Sequence, residues 1–269
     1  MKYETAHDLT LPKIGFGTWK IGGESAHDPK VDSISLAALR SALEFGYTHI
    51  DTAEMYAAGH TEELVGQAIR EMQIKRESLF ITSKVMPEHL AYDQVLHACE
   101  ASLRRLQMDY LDLYLVHWPS AGTKLEDSFW ALNQLVKDGK VRHLGVSNFD
   151  LKLLKQAQTL SATPIITDQV PFSTSDHSYI KNGVLEYCQQ NNIILTAYSP
   201  VNQGHFRVNR TLESIAQAHS ATPYQIALAW LIQQPRVITI PMSFNPIHIK
   251  ENWDAADLVL SEDEMKQLS

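Results

Sequence analysis

The chain has 269 residues, 44% hydrophobic and 20% charged, with a formal net charge of −8. That is apolar and long enough to bury a large core, and an acidic balance without a long basic run gives no electrostatic reason to expect nucleic acid or an anionic membrane as partner. Its two cysteines, Cys99 and Cys188, each lie in a helix-like stretch, which argues against a disulfide framework or a cysteine-ligated zinc and predicts free thiols, buried or half-buried. In chain order, Lys2 to Thr5 and Leu9 to Leu11 alternate around Ala-His-Asp as a small hairpin. Ile14 to Gly17 is strand-like, Val31 to Phe45 has helical apolar spacing that stops at Gly46, and Tyr47 to Asp51 is the next strand. Helix Glu62 to Met72 follows Thr61, then strand Leu79 to Ser83, helix Tyr92 to Leu106 and strand Tyr110 to Val116. Three more units repeat the pattern: helix Leu125 to Lys137 with strand Val141 to Val146, helix Leu151 to Gln158 with strand Pro164 to Gln169, and helix Gly183 to Gln190 with strand Ile193 to Tyr198. The last unit has helices Leu212 to His219 and Pro223 to Gln233, strand Val237 to Ile240, and a closing helix over Pro246 to Leu258.

Eight apolar strands alternating with helices at this length predict an α/β fold, a (β/α)8 TIM barrel with a short N-terminal β-hairpin, forming a single domain over residues 1–269. An open doubly wound sheet is the competing architecture. Against it, Gly15-Phe-Gly17-Thr-Trp19 places Trp where a dinucleotide fingerprint needs the helix of its third glycine. The N-terminus lacks the apolar core of a signal peptide and no apolar run approaches a membrane span, so a cytoplasmic setting is expected, without membrane or nucleic-acid partners. A monomer is expected because no long exposed apolar seam is evident.

A parallel barrel delivers the last residue of each strand to one face, where such enzymes place their chemistry. Here the polar strand endings are Asp51, Lys84, His117, Asn148, Gln169, Tyr198 and Ser243. Singly, each has a bland reading: Asp51 as a cap, Lys84 as a solvated charge, His117 as a satisfied core histidine, Tyr198 as core packing. Jointly they are harder to dismiss, because an apolar strand has little structural reason to end in an ionisable group several times over.

The stretches Ile50-Asp-Thr-Ala-Glu-Met-Tyr56, Ile81-Thr-Ser-Lys84, Leu113-Tyr-Leu-Val-His117-Trp-Pro, Gly145-Val-Ser-Asn148-Phe and Ala197-Tyr-Ser-Pro200 resemble the motifs of the aldo-keto reductase family, in that family's order. The resemblance spans nearly the whole chain and is similar in kind to bacterial diketogluconate reductases. It implies a barrel that binds a nicotinamide cofactor without a Rossmann domain and transfers hydride to an aldehyde or ketone, a small-molecule carbonyl. It further implies a catalytic set in which Tyr56 donates the proton, Lys84 lowers the phenol's pKa, Asp51 holds Lys84, and His117 orients the carbonyl oxygen. For the cofactor it implies Ser147, Asn148 and Gln169 at the carboxamide, Tyr198 stacked on the ring, Ser199 and Val201 to Gly204 at the pyrophosphate, and Ser243, His248, Glu251 and Asn252 toward the adenine end. Trp19, Met55, Met86, Trp118 and Phe172 are expected at the substrate mouth, a wall suited to aromatic or aliphatic carbonyls.

Three departures stand out. Members preferring NADP usually carry Lys at Met242 and Arg at His248, both of which grip the 2′-phosphate; with NADPH as the expected cofactor, their loss predicts NADH use as well, with Lys250 or His248 as the remaining sources of positive charge. After Gln169 the usual Val-Glu-Tyr-His is Val-Pro-Phe-Ser. Family members also usually run past the position of Ser269, from which a broad, open pocket is expected. The competing functions are a cofactor-binding barrel acting as sensor or scaffold, which has no need of Tyr56, and a metal-dependent hydrolase, which would cluster histidines or carboxylates at strand ends, whereas the twelve histidines are scattered and no metal is expected.

Overall fold

The computed structural model describes residues 2–120, 122, 124–202 and 208–269. A hairpin of β1 (Tyr3–Ala6) and β2 (Leu9–Pro12) precedes eight parallel strands: β3 (Phe16–Gly17), β4 (His49–Asp51), β5 (Phe80–Val85), β6 (Leu111–Val116), β7 (Val141–Ser147), β8 (Ile165–Pro171), β9 (Ile194–Tyr198) and β10 (Val237–Thr239). Each strand pairs with the next in sequence. The circle closes where Ile14 bridges Thr239 in parallel, with the Gly15 N–H donating to the Thr239 carbonyl at 2.8 Å and the Thr239 N–H to the Lys13 carbonyl at 2.9 Å. Glycine is required at that seam: a Cβ on Gly17 would stand 2.5 Å from the Ile240 carbonyl oxygen.

The helices are α1 (Asp32–Glu44), α2 (His60–Glu71), α3 (Tyr92–Leu106), α4 (Leu125–Lys137), α5 (Leu151–Leu160), α6 (Ser178–Lys181), α7 (Val184–Gln190), α8 (Arg210–Ala218), α9 (Pro223–Gln233), α10 (Pro246–Asp254) and α11 (Glu262–Gln267). Amphipathic helices such as α3 turn Val95, Cys99, Leu103 and Leu106 inward against the strands, whereas α9 is buried from Ile226 to Ile232. Gly46 ends α1 as expected, in the left-handed conformation at φ 97°, with the Tyr47 N–H reaching back to the Ala42 carbonyl. Cys99 and Cys188 are buried free thiols, and burial holds both above the ordinary thiol range.

The hairpin packs on the barrel end where the strands begin: Ala6 and Leu11 cluster with Ile194, the first residue of β9, and Ile238 of β10. The C-terminal ends of the strands lie at the other end. The fold differs from the sequence expectation in small elements. The closing helix stops at Asp254 and gives way to a 3-10 turn at Ala255–Asp257. Two short helices, α6 and α11, were not expected; α11 is announced by a capping box in which Ser261 and Glu264 answer each other's backbone N–H groups. Among the described residues no helix is long and apolar enough to cross a membrane.

Candidate active site

Strand register decides what meets at the open end. Asp51 is the last residue of β4, beside Thr82; Lys84 lies one step before the end of β5, beside Leu115; Ser147 and Gln169 face each other across β7 and β8. His117 immediately follows β6. Tyr56 comes from the turn after β4, whose continuation is strained: Ala57 and Ala58 take left-handed φ values of 47° and 55°, and Gly59 one of 95°. Two consecutive alanines in that region cost about 1–2 kcal/mol each, a local strain that aims the phenol inward.

Lys84 is wholly buried and its ammonium hydrogens are fully engaged. Nζ donates to Asp51 Oδ1 at 2.5 Å, to the Thr52 carbonyl at 2.8 Å and to Tyr56 Oη at 3.2 Å. The other Asp51 oxygen accepts from Gln169 Nε2 at 2.8 Å. Burial pulls Lys84 down, yet Asp51 and Tyr56 together outweigh it, and the amine stays above its usual range as a permanent cation. The expectation that Lys84 makes Tyr56 more acidic is met only in part. Burial raises the phenol, Lys84 lowers it, and the net direction is upward because desolvation of a phenolate in this wall is the larger effect. His117 is pushed down to about 2, first by burial and then by Lys84, so its ring is neutral throughout the physiological range.

The wall continues as a connected set of hydrogen bonds. Tyr198 Oη donates to Asn148 Oδ1 at 2.8 Å, Asn148 Nδ2 donates to the His117 carbonyl and to Ser147 Oγ, both at 3.0 Å, and Ser147 Oγ donates to the Gln169 carbonyl at 2.8 Å. Asn148 adopts a left-handed φ of 62°, a conformation asparagine accepts more readily than most residues. Trp19 meets the Tyr56 ring edge-on at 5.0 Å between centroids, and Trp118 stacks on His117 at 4.2 Å.

These groups open into a cavity of about 950 Å3. Its lining extends from Asp51, Tyr56, His117, Gln169, Tyr198, Trp19, Met55 and Trp118, past Ser199 and Val201, to Met242, Ser243, His248, Glu251 and Asn252. Most of the expected site residues thus share one space. Five do not line it. Lys84 is wholly buried behind Asp51 and Tyr56, which do. Ser147 and Asn148 stand within the wall and brace Gln169, His117 and Tyr198. Met86 is displaced because its N–H is drawn at 2.7 Å to Glu54, which also engages His89. Phe172 is buried against Trp230 and His177 instead. Lys250 is likewise held by Asp254 at 2.5 and 2.6 Å and does not line the cavity. Of the stretch expected at the pyrophosphate, Gln203 and Gly204 lie outside the described residues.

Residues not expected from sequence also reach the cavity: Thr222, Pro223 and Tyr224 at the start of α9, and Phe244 beyond β10. The Thr222-Pro223 helix start was legible, as was its position before the last strand, but not which end of the barrel that start faces.

The cavity suits a dinucleotide: its lining joins a phenol and a neutral imidazole, with a buried cation behind them, to an aromatic ring with a side-chain amide and, on the segment after β10 and on α10, to hydroxyl, imidazole, carboxylate and amide groups. The sequence model of the Aldo/keto reductase family matches residues 13–269. A methylglyoxal reductase of Escherichia coli (strain K12) is 39% identical over 267 residues, covering 97% of this chain and 91% of its own. A crystal structure of a thermostable aldo-keto reductase with the inhibitor epalrestat superposes with a TM-score of 0.96 at 45% identity, covering 100% of this chain and 98% of its own. An aldo/keto reductase from Klebsiella pneumoniae, solved with NADP and acetate, gives a TM-score of 0.87 at 38% identity, covering 97% and 91%.

Proposed function

The chain belongs to the aldo/keto reductase family, and from that premise we propose that it reduces small aldehydes and ketones, α-oxoaldehydes among them, with NADPH as hydride donor and Tyr56 as proton donor. The observation that carries the assignment of roles is the contact of Tyr56 Oη with Lys84 Nζ at 3.2 Å, with Asp51 behind the lysine at 2.5 Å. The α-oxoaldehyde class is supported by the methylglyoxal reductase relative, and NADPH by the cofactor in the Klebsiella pneumoniae structure.

Bound nicotinamide supplies the hydride, and the chain's own residues handle the oxygen. As hydride reaches carbon, negative charge builds on the carbonyl oxygen and a positioned acid is needed. A phenol held above its ordinary range is fully protonated at neutral pH, so the acid is always loaded. Giving up that proton leaves a phenolate beside a buried ammonium, where the Coulomb attraction is strong. Lys84 therefore acts by stabilising the product of proton transfer more than by making the resting phenol acidic. Neutral His117 can donate only one N–H, which suits it to orienting the carbonyl oxygen. A sensor or scaffold would have no use for this arrangement.

At the adenine end Met242 offers no charge and Lys250 is engaged by Asp254. Besides His117, the cationisable side chains among the described lining residues are Lys20, paired with Glu24 at 3.3 Å, and His248 on α10. That supports relaxed cofactor choice: NADPH preferred over NADH by less than ~100-fold, or ~2.7 kcal/mol.

Following the loss of reduced-cofactor absorbance with a panel of aldehydes, ketones and methylglyoxal, in the presence of chelator, tests the reaction. Tyr56→Phe tests the acid. The expected result is chelator-insensitive turnover that falls by about 100-fold or more in Tyr56→Phe, with cofactor affinity nearly unchanged. Near wild-type turnover in that variant would rule out Tyr56 as principal acid, and a larger cofactor preference would overturn the relaxed choice.

A further inference from the structure

Away from the cavity, at the start of α1 and α2, three side chains converge that the reductase chemistry does not use. His27 Nε2 lies 3.1 Å from Asp32 Oδ2, and His60 Nε2 lies 3.1 Å from Asp32 Oδ1. The two imidazole rings are 3.7 Å apart between centroids. The three ligand atoms lie within 4.8 Å of one another, the one such cluster among the described residues. From this juxtaposition we propose that His27, Asp32 and His60 form a binding site for a borderline divalent transition metal of the zinc class, separate from the active site and stabilising in effect.

The chemistry of the donor set points to that class. Two imidazoles and one carboxylate suit zinc, cobalt, nickel or copper, and are poorly matched to magnesium or calcium, which favour all-oxygen shells. Zinc bonds of about 2.0 Å in tetrahedral geometry place ligand atoms roughly 3.3 Å apart; the two nitrogen–oxygen separations are already close to that. Both rings turn a nitrogen toward the same carboxylate, an arrangement that Nε2–H donors or one shared cation would satisfy. With His60 Nδ1–H donated to Glu63, its Nε2 faces Asp32 as a lone pair, which a metal ion would accept. One divalent ion satisfies both nitrogens and both oxygens at once.

A second feature fits metal binding independently. His60 Nδ1 lies 2.8 Å from Glu63 Oε2, one turn along α2. Metal-ligating histidines commonly donate their other N–H to a carboxylate, which fixes the tautomer and raises the basicity of the ligating nitrogen. The side chains of His27, Asp32 and His60 are 43%, 29% and 17% exposed, so the site has an entry path and room for a water as fourth ligand. The ion would tie the exposed segment before α1 to the first residue of α2.

Calorimetric titration of the full chain with Zn2+ after dialysis against chelator, paired with thermal unfolding and the absorption spectrum of the Co2+ form, tests this. Expected are one ion bound per chain, a rise in Tm, a tetrahedral-type Co2+ spectrum and no response to Mg2+. His27→Ala, at an exposed position, should keep its metal-free Tm and turnover while losing affinity by about 10-fold or more; Glu63→Gln should weaken binding less, as removal of an outer-shell partner does. No saturable Zn2+ binding, or binding and a Tm rise unchanged in His27→Ala, would overturn the proposal.

Discussion

The two ends of the cavity are built to different standards. At the catalytic end Asp51 and Lys84 are almost inaccessible, at 1% and 0% exposure, and their charges are answered by named partners. At the far end Met242, Ser243, Glu251 and Asn252 are half-buried and His248 is exposed, carried on one segment after β10 and on α10. The first end draws its residues from several strands of a closed barrel, so moving one group disturbs the others. The second depends on one helix and its lead-in, where a substitution alters one contact. Reaction chemistry is therefore structurally locked, whereas cofactor choice is open to single changes.

The sharpest way to break this contrast is at Lys84. Lys84→Met removes the cation and leaves Asp51 buried with only Gln169 to answer it. The expected loss is about 3–5 kcal/mol of stability, as when one partner of a buried ion pair is removed, together with most of the turnover. Urea unfolding monitored by circular dichroism measures the first. A loss below about 1 kcal/mol would mean that water or another cation reaches Asp51, and the buried end would not be locked as described.

How much of this was legible in the sequence follows the same division. Asp51, Lys84 and His117 could be read from the ends of apolar strands because a parallel barrel gathers such ends by construction. The wall positions of Ser147 and Asn148 could not, since they depend on which hydrogen bonds close around Tyr198 and Gln169. Met86 was misplaced for a similar reason: the pull of Glu54 on its N–H is a contact between two loops. The upward shift of Tyr56 was also out of reach, because motif spacing shows that a lysine is near but not how completely the pair is desolvated. His27, Asp32 and His60 follow no spacing rule and meet only once α1 and α2 are packed side by side.

A buried carboxyl with neither cation nor hydrogen-bond donor among the described residues sharpens the comparison with Asp51. Asp168 sits beside Gln169 on β8 and is wholly buried. Neither oxygen has a hydrogen-bond partner among the described residues, the Phe149 N–H offering only a weak contact. Burial raises its pKa well above the usual carboxylate range, so the folded chain retains a proton that the unfolded chain releases near pH 4. The stability attached to that proton is present below the unfolded pKa and is lost as pH rises toward the folded one. Asp168→Asn should remove this slope and stabilise the chain at neutral pH by about 1–3 kcal/mol. Unfolding midpoints at pH 5 and pH 8 check it, with a larger gain at pH 8; an equal gain at both would assign the effect to packing.

The smallest expected effect lies at the far end. Met242 lines the cavity immediately before Ser243, and the proposed cofactor reading puts it beside the 2′-phosphate. Met242→Lys should strengthen NADPH binding by about tenfold, roughly 1.4 kcal/mol, because a half-exposed charge pair is screened and contributes far less than a buried one. Glu251 lines the same end and will compete for the new ammonium, which holds the gain down. His248→Arg adds a fixed cation with a planar fork, so the double variant should exceed either single change. NADH affinity is the internal control, since it lacks the 2′-phosphate. If both cofactors tighten together, the lysine is meeting the shared pyrophosphate, and Met242 does not set the choice between them. If NADPH alone tightens while kcat with either cofactor is unchanged, the two ends of the cavity are energetically separate.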